Sequence, residues 1–146
     1  MSYLYDGGRN LFAEAGVNWQ PGGSNMRAIL VKAAYAAANS AAHVYLSEVN
    51  AANIVGMGGA NDQANSANVA PATPSAGICD GANVTFTAVP ANAGSLGAII
   101  IYKGTGNDAN SPLVAFIDAG TGLPVTPNGG DIAVAWDDGA NKIFKL

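Results

Sequence analysis

Residues 96–102 (Leu-Gly-Ala-Ile-Ile-Ile-Tyr) constrain the fold more than any other part of the chain. Side chains alternate between the two faces of a strand. Here Ile99 and Ile101 fall on one face, and Ala98, Ile100 and Tyr102 fall on the other. A strand that is apolar on both faces is central and covered twice, as in the middle of a sandwich. The run ends in Lys103-Gly104-Thr105-Gly106-Asn107-Asp108, whose Gly, Asn and Asp are turn formers.

Around this strand the pattern predicts further strands at 26–31, 84–89, 113–118, 132–136 and 142–144, with the central one running over 96–103. In the first of these, Ile29 and Val31 share one side and Ala28 and Leu30 the other. Turn chemistry separates them at 90–94, 120–122, 128–130 and Asp138-Gly139. Short antiparallel strands with such breaks give a mainly β fold: an antiparallel β-sandwich or a flattened barrel, preceded by a short N-terminal helix. Asp6 is expected to cap that helix, Leu11, Phe12 and Ala15 to share its inner face, and Gly16 to supply the left-handed stop. Trp19 follows, ahead of the turn Pro21-Gly22-Gly23.

The 146 residues suit one domain. Residues 1–24 read as an N-terminal arm and helix, and 33–76 as an Ala/Asn-rich variable segment. Within that segment, 33–39 is open between helix, on alanine propensity, and loop, on Asn39-Ser40. Residues 43–49 suit one or two helical turns. Residues 50–76 suit an extended loop with short strands near Ile54-Val55 and Val69.

Charged residues make up 11% of the chain, against about 25% in an ordinary globular domain. Small residues dominate what remains, with 19 glycines and abundant Ala and Asn. So little charge suits a surface partly covered by other protein chains. The net charge is −4 and the six Lys and Arg are scattered, which leaves no basic stripe for nucleic acid. Cys79 is the sole cysteine, so no internal disulfide forms, as suits a reducing cytoplasm. The first residues carry neither a basic nor an apolar leader segment, and no apolar run approaches the ~20 residues of a membrane span. The expectation is a soluble protein made in the cytosol, with no membrane partner.

Candidate chemistry is sparse. His43 is the sole histidine, and no Ser or Cys near it sits in a nucleophile context, so it reads as a surface or half-buried residue. One His and one Cys cannot build a zinc site within one chain. Asp108, Asp131, Asp137 and Asp138 could offer oxygens to calcium, but no EF-hand spacing is present and their turn positions explain them. Glu14 and Glu48 show no sign of acting as a glycosidase pair. Gly104-Thr105-Gly106 leads into another strand rather than the helix a phosphate loop requires. Asn83-Val84-Thr85 fits a glycosylation sequon by chance. The expectation is no enzyme, no metal and no cofactor. Tyr3, Leu4, Tyr5 and Trp19 are the candidate interface residues, since Tyr and Trp are favoured anchors and a chain end is loose unless it docks. Phe12 reads as core.

The second half resembles a widespread group of small tailed-bacteriophage virion proteins. The likeness runs through Asp80-Gly81-Ala82-Asn83-Val84-Thr85-Phe86-Thr87-Ala88-Val89, Ala98-Ile99-Ile100-Ile101-Tyr102-Lys103-Gly104-Thr105-Gly106 and Ser111-Pro112-Leu113-Val114-Ala115-Phe116-Ile117-Asp118. It closes with Gly129-Gly130-Asp131-Ile132-Ala133-Val134-Ala135-Trp136-Asp137. At the start, Glu14-Ala15-Gly16, Trp19 and the strand at 26–31 also fit, whereas 33–76 departs from the pattern. The resemblance implies a capsid decoration (cement) protein on the outer surface of the virion, with the major capsid protein as partner and no catalytic residues. Local threefold positions on such a shell imply a homotrimer. A phage tail, neck or fibre accessory protein that binds a host receptor or glycan is the alternative.

Overall fold

The computed structural model describes residues 2–49 and 66–146. Its framework is a five-stranded antiparallel sheet in the order β1-β7-β6-β2-β3. These strands are β1 (Tyr3–Leu4), β2 (Met26–Lys32), β3 (Ala67–Asn68), β6 (Leu96–Lys103) and β7 (Leu113–Ile117). Two small sheets complete the strands: β4 (Ile78–Cys79) with β9 (Phe144–Lys145), and β5 (Val84–Phe86) with β8 (Ile132–Val134). The helices are α1 (Asp6–Ala13) and α2 (Ala33–Ala38), with a 3-10 turn at Leu46–Val49. The chain is therefore mainly β and antiparallel with a short N-terminal helix, as expected. All three sheets are open, so the flattened barrel is not its geometry.

The doubly apolar strand is the middle strand. β6 pairs with β2 along its length, from Met26↔Lys103 to Lys32↔Leu96, and with β7 on its other side. Each face of this sheet has its own core. On the first, Ala28, Leu30, Ile99 and Ile101 pack against Trp19, Phe86, Trp136 and Cys79 from the segments that carry the small sheets, and against Leu11 and Phe12 of α1. On the second, Ile29, Val31, Ala98, Ile100 and Tyr102 pack against Tyr5, Tyr35, Leu46, Val49 and Phe116. The first face is thus covered by the small sheets together with α1, and the second by helical turns. The facing of β2 and β6 follows the sequence expectation residue by residue.

Several local elements depart from expectation for identifiable reasons. Asp6 is the first residue of α1 rather than a side-chain cap: Tyr5 holds the cap position with no side-chain hydrogen bond, and Asp6 Oδ1 accepts from Arg9 Nη1 at 3.2 Å instead. The left-handed residue that ends the helical segment is Ala15 (φ 57°), not Gly16, whose N–H donates to the Leu11 carbonyl at 2.7 Å. Residues 33–38 resolve to helix, as alanine propensity favours. The strand expected at 84–89 stops at Phe86, because Ala88 is left-handed (φ 49°) and donates its N–H to the Asp131 carboxylate. The strand expected at 132–136 stops at Val134, and the Trp136 N–H goes to the Asn83 side chain at 2.9 Å. The last strand shifts to Phe144–Lys145, because Lys142 is left-handed (φ 51°). Near Val69 the strand is Ala67–Asn68, whereas the expected strand near Ile54-Val55 lies outside the described residues.

α1 begins Asp-Gly-Gly, a poor helix-forming start, since glycine costs about 1 kcal/mol relative to alanine inside a helix. Packing accounts for Gly8. A Cβ there would stand 2.6 Å from the Val114 carbonyl oxygen and 2.9 Å from its Cα, so only glycine lets the helix lie this close to β7. Gly8→Ala is expected to destabilise the protein by about 1–3 kcal/mol through overpacking against backbone that cannot yield. A urea unfolding midpoint equal to that of the parent chain would show that α1 is not held at this distance.

Candidate interaction surface

The four sequence-predicted interface residues do not form one surface. Tyr5 (0% exposed), Trp19 (3%) and Leu4 are buried within the chain's own core, and Tyr3 alone keeps part of its surface. The N-terminal segment docks as an edge strand: β1 pairs with β7 (Tyr3↔Phe116, Leu4↔Ala115), and the Tyr5 N–H donates to the Val114 carbonyl at 3.0 Å. Tyr5, Leu4 and Trp19 thus act by shaping the fold.

Tyr3 and Tyr5 belong to an aromatic cluster on the second face. Tyr3 stacks on Phe116 with ring centroids 5.2 Å apart and meets Tyr5 edge-on at 5.3 Å. The Tyr5 and Tyr35 hydroxyls are 3.1 Å apart, and the Tyr35 hydroxyl lies 3.1 Å from His43 Nδ1. The Tyr3 hydroxyl donates to Asn39 Oδ1 at 2.6 Å. His43 therefore ends a buried hydrogen-bond chain and stacks on Tyr35 with ring centroids 6.0 Å apart, half-buried as the sequence implied. On the first face Trp19 Nε1 donates to the Asp80 carbonyl at 2.8 Å and Trp136 Nε1 to the Ala82 carbonyl at 2.9 Å. Both indoles so tie the connection between β4 and β5 to the core.

A cleft of about 750 Å³ opens beside the first helix. One wall is the sheet edge at Tyr3, Leu4 and Ile117. A second is α1 through Arg9, Phe12 and Ala13. The third is the chain from Ile143 to Leu146, with Asn141 beside it. Phe144 meets both Phe12 (5.8 Å) and Trp19 (5.0 Å) edge-on, which fixes the third wall against the first helix. Two of the six cations, Arg9 and Lys145, line this cleft, and no Asp or Glu among the described residues does. Arg9 shares an exposed ion pair with Asp6, a contact worth little in water, and Lys145 has no ion pair among the described residues. Tyr3 and Leu4 line the cleft, Tyr5 and Trp19 do not. Sequence reading missed Arg9, Phe144 and Lys145, because nothing local marks them. The pairing of β9 with β4 brings the last strand beside the first helix.

The remaining reactive groups are held quiet. Cys79 is buried, and burial pushes its thiol up to about 11. Of the turn acids, Asp131 accepts the Ala88 N–H and Asp138 pairs with Lys142 at 3.0 Å. Among the described residues no three of His, Cys, Asp and Glu converge on a metal-sized space. No helix among them is long and apolar enough to cross a membrane.

Burial pushes the Tyr3 phenol up to about 12 and, with the neighbouring Tyr35 hydroxyl, drives Tyr5 further in the same direction. These phenols and the Cys79 thiol bind their protons more tightly folded than unfolded. The stability they contribute is whole below the unfolded values, 9.0 for the thiol and 10.0 for the phenols, and is lost as pH rises through the folded ones. The urea midpoint is expected to stay level up to about pH 9 and to fall between about pH 9 and 12. A midpoint unchanged at pH 11 would contradict this burial. Tyr5→Phe is expected to cost about 1 kcal/mol by removing one hydroxyl from the buried chain, measured by the same unfolding at pH 7.

No family model, curated protein or solved structure matches this chain.

Proposed function

We propose that this chain is a structural virion protein that binds the outside of a bacteriophage capsid and stabilises it. The observation that carries this is the neutral, small-residue face of the β5–β8 sheet. Along these strands the inward residues Val84, Phe86, Ile132 and Val134 alternate with exposed Thr85, Thr87, Ala133 and Ala135. A surface of methyls and hydroxyls can be covered by another protein without stripping water from charges, which is the costly part of burying a polar surface. Each copy then needs only modest affinity, because a shell binds many at once. The low overall charge and the resemblance of residues 80–89, 98–106, 111–118 and 129–137 to small phage virion proteins support the same reading.

The side chains that chemistry would use support a structural role. His43 is engaged with Tyr35, and Cys79 is buried and protonated at neutral pH. The receptor- or glycan-binding alternative asks for an aromatic platform, and among the described residues Tyr45 is the single well-exposed aromatic. A homotrimer on the local threefold axes of the shell, with the major capsid protein beneath, is the proposed arrangement. Shells assembled without this protein are expected to rupture at lower temperature than shells carrying it, as followed by release of packaged DNA during heating. Equal rupture temperatures would sink the proposal.

A further inference from the structure

Among the described residues three large hydrophobic side chains are well exposed: Val44 (38%), Tyr45 (41%) and Leu146 (55%). Leu146 stands in the wall of the cleft, and the other two form a knob elsewhere. The knob is rigid. Tyr45 bridges to Pro112, the Leu113 N–H donates to the Val44 carbonyl at 2.8 Å, and the Leu46 N–H donates to the Ser111 carbonyl at 2.9 Å. Beside the two apolar side chains sits the Glu48 carboxylate. Its Oε2 accepts the N–H groups of both Val44 and Tyr45, and its Oε1 has no hydrogen bond among the described residues.

Knob and cleft are complementary. The knob presents two apolar side chains and an anion. The cleft presents an apolar lining, Arg9, and a lysine, Lys145, that has no ion pair among the described residues. Helix α1 separates them: a Cβ on Gly7 would touch Val44 at 3.7 Å, whereas Arg9, Phe12 and Ala13 face the cleft. None of Val44, Tyr45 and Glu48 lines the cleft of its own chain. We infer that the cleft receives the Val44–Tyr45–Glu48 knob of a second copy of this chain. Such a contact joins two different patches, so it runs head to tail, and with the threefold rotation of the proposed homotrimer it closes into a ring. The contact rests on the homotrimer in the proposed function and specifies how its copies meet.

Sedimentation velocity of the full chain over a concentration series tests this. The parent chain is expected to sediment as a closed oligomer. Tyr45→Asp, in the knob, is expected to weaken association on the order of a hundredfold. Lys145→Glu, in the cleft, is expected to weaken it about tenfold, more at low salt than at high. Both side chains are exposed, so circular dichroism should match the parent chain. An equimolar mixture of the two variants retains one good knob and one good cleft, and is expected to give a one-to-one dimer that grows no further. A monomeric parent chain, variants that assemble like the parent, or a mixture that associates no better than its parts would each overturn the contact. The shell-rupture measurement stays independent. A monomer that protects shells overturns this contact and the homotrimer but leaves the capsid-stabilising role standing, and an oligomer of the expected kind that fails to protect them overturns that role alone.

Discussion

The pairing of β2 with β6 is the constraint on which the rest of the molecule depends. A strand with one polar face finds its register because a one-residue slip would bury that face. β6 has no polar face, so alternation alone cannot set it. Fixed points at its two ends do so. At Gly97 the backbone of α2 approaches so closely that a Cβ would stand 2.8 Å from the Ala33 Cα. At the other end the Lys103 ammonium donates to the Gly16 carbonyl at 2.7 Å. Between them the pairing breaks step once, between Val31 and Lys32, and this places Leu96 and Ile99 in the same core although they are three residues apart. Size, close approach and one tethered cation replace polarity as the register signal.

Much of this could be read in advance where the signal is local. The five-residue alternation from Ala98 to Tyr102 revealed a strand covered twice, and the cores contain those residues on the expected sides. Alternating Ile, Leu and Ala in β2 did the same. The failures share a physical cause, which is distance along the chain. β1 and β4 have two residues each and exist only through distant partners, Tyr3 with Phe116 and Cys79 with Phe144 among them. Strand bounds were misplaced where a left-handed residue, Ala88 after β5 or Lys142 before β9, limits the strand without any glycine to mark it. Among the candidate interface residues, Tyr5 and Trp19 look the same in sequence whether they anchor a partner or a core. Three-dimensional packing alone separates the two, and here both are core.

Scarcity of charge acquires a spatial meaning in the folded chain. Half of the six cations are tied down in this way: Arg27 to Ser66, Lys103 to the Gly16 carbonyl, Lys142 to Asp138 and Asp80. Against that background, two cations in one cleft that no Asp or Glu of the described residues lines give a weakly charged molecule a definite electrostatic direction. Elsewhere its outer strands present threonine and alanine, whose burial carries little desolvation cost.

The two faces of the central sheet also differ in their chromophores. Both tryptophans, Trp19 and Trp136, lie in the core beneath the small sheets, and Tyr5, Tyr35 and Tyr102 lie in the other, with Tyr3 against it. Indole emission therefore belongs to one layer and phenol absorbance, apart from exposed Tyr45, to the other. The molecule carries an internal two-colour label, by which the loosening of either layer is visible separately from the other.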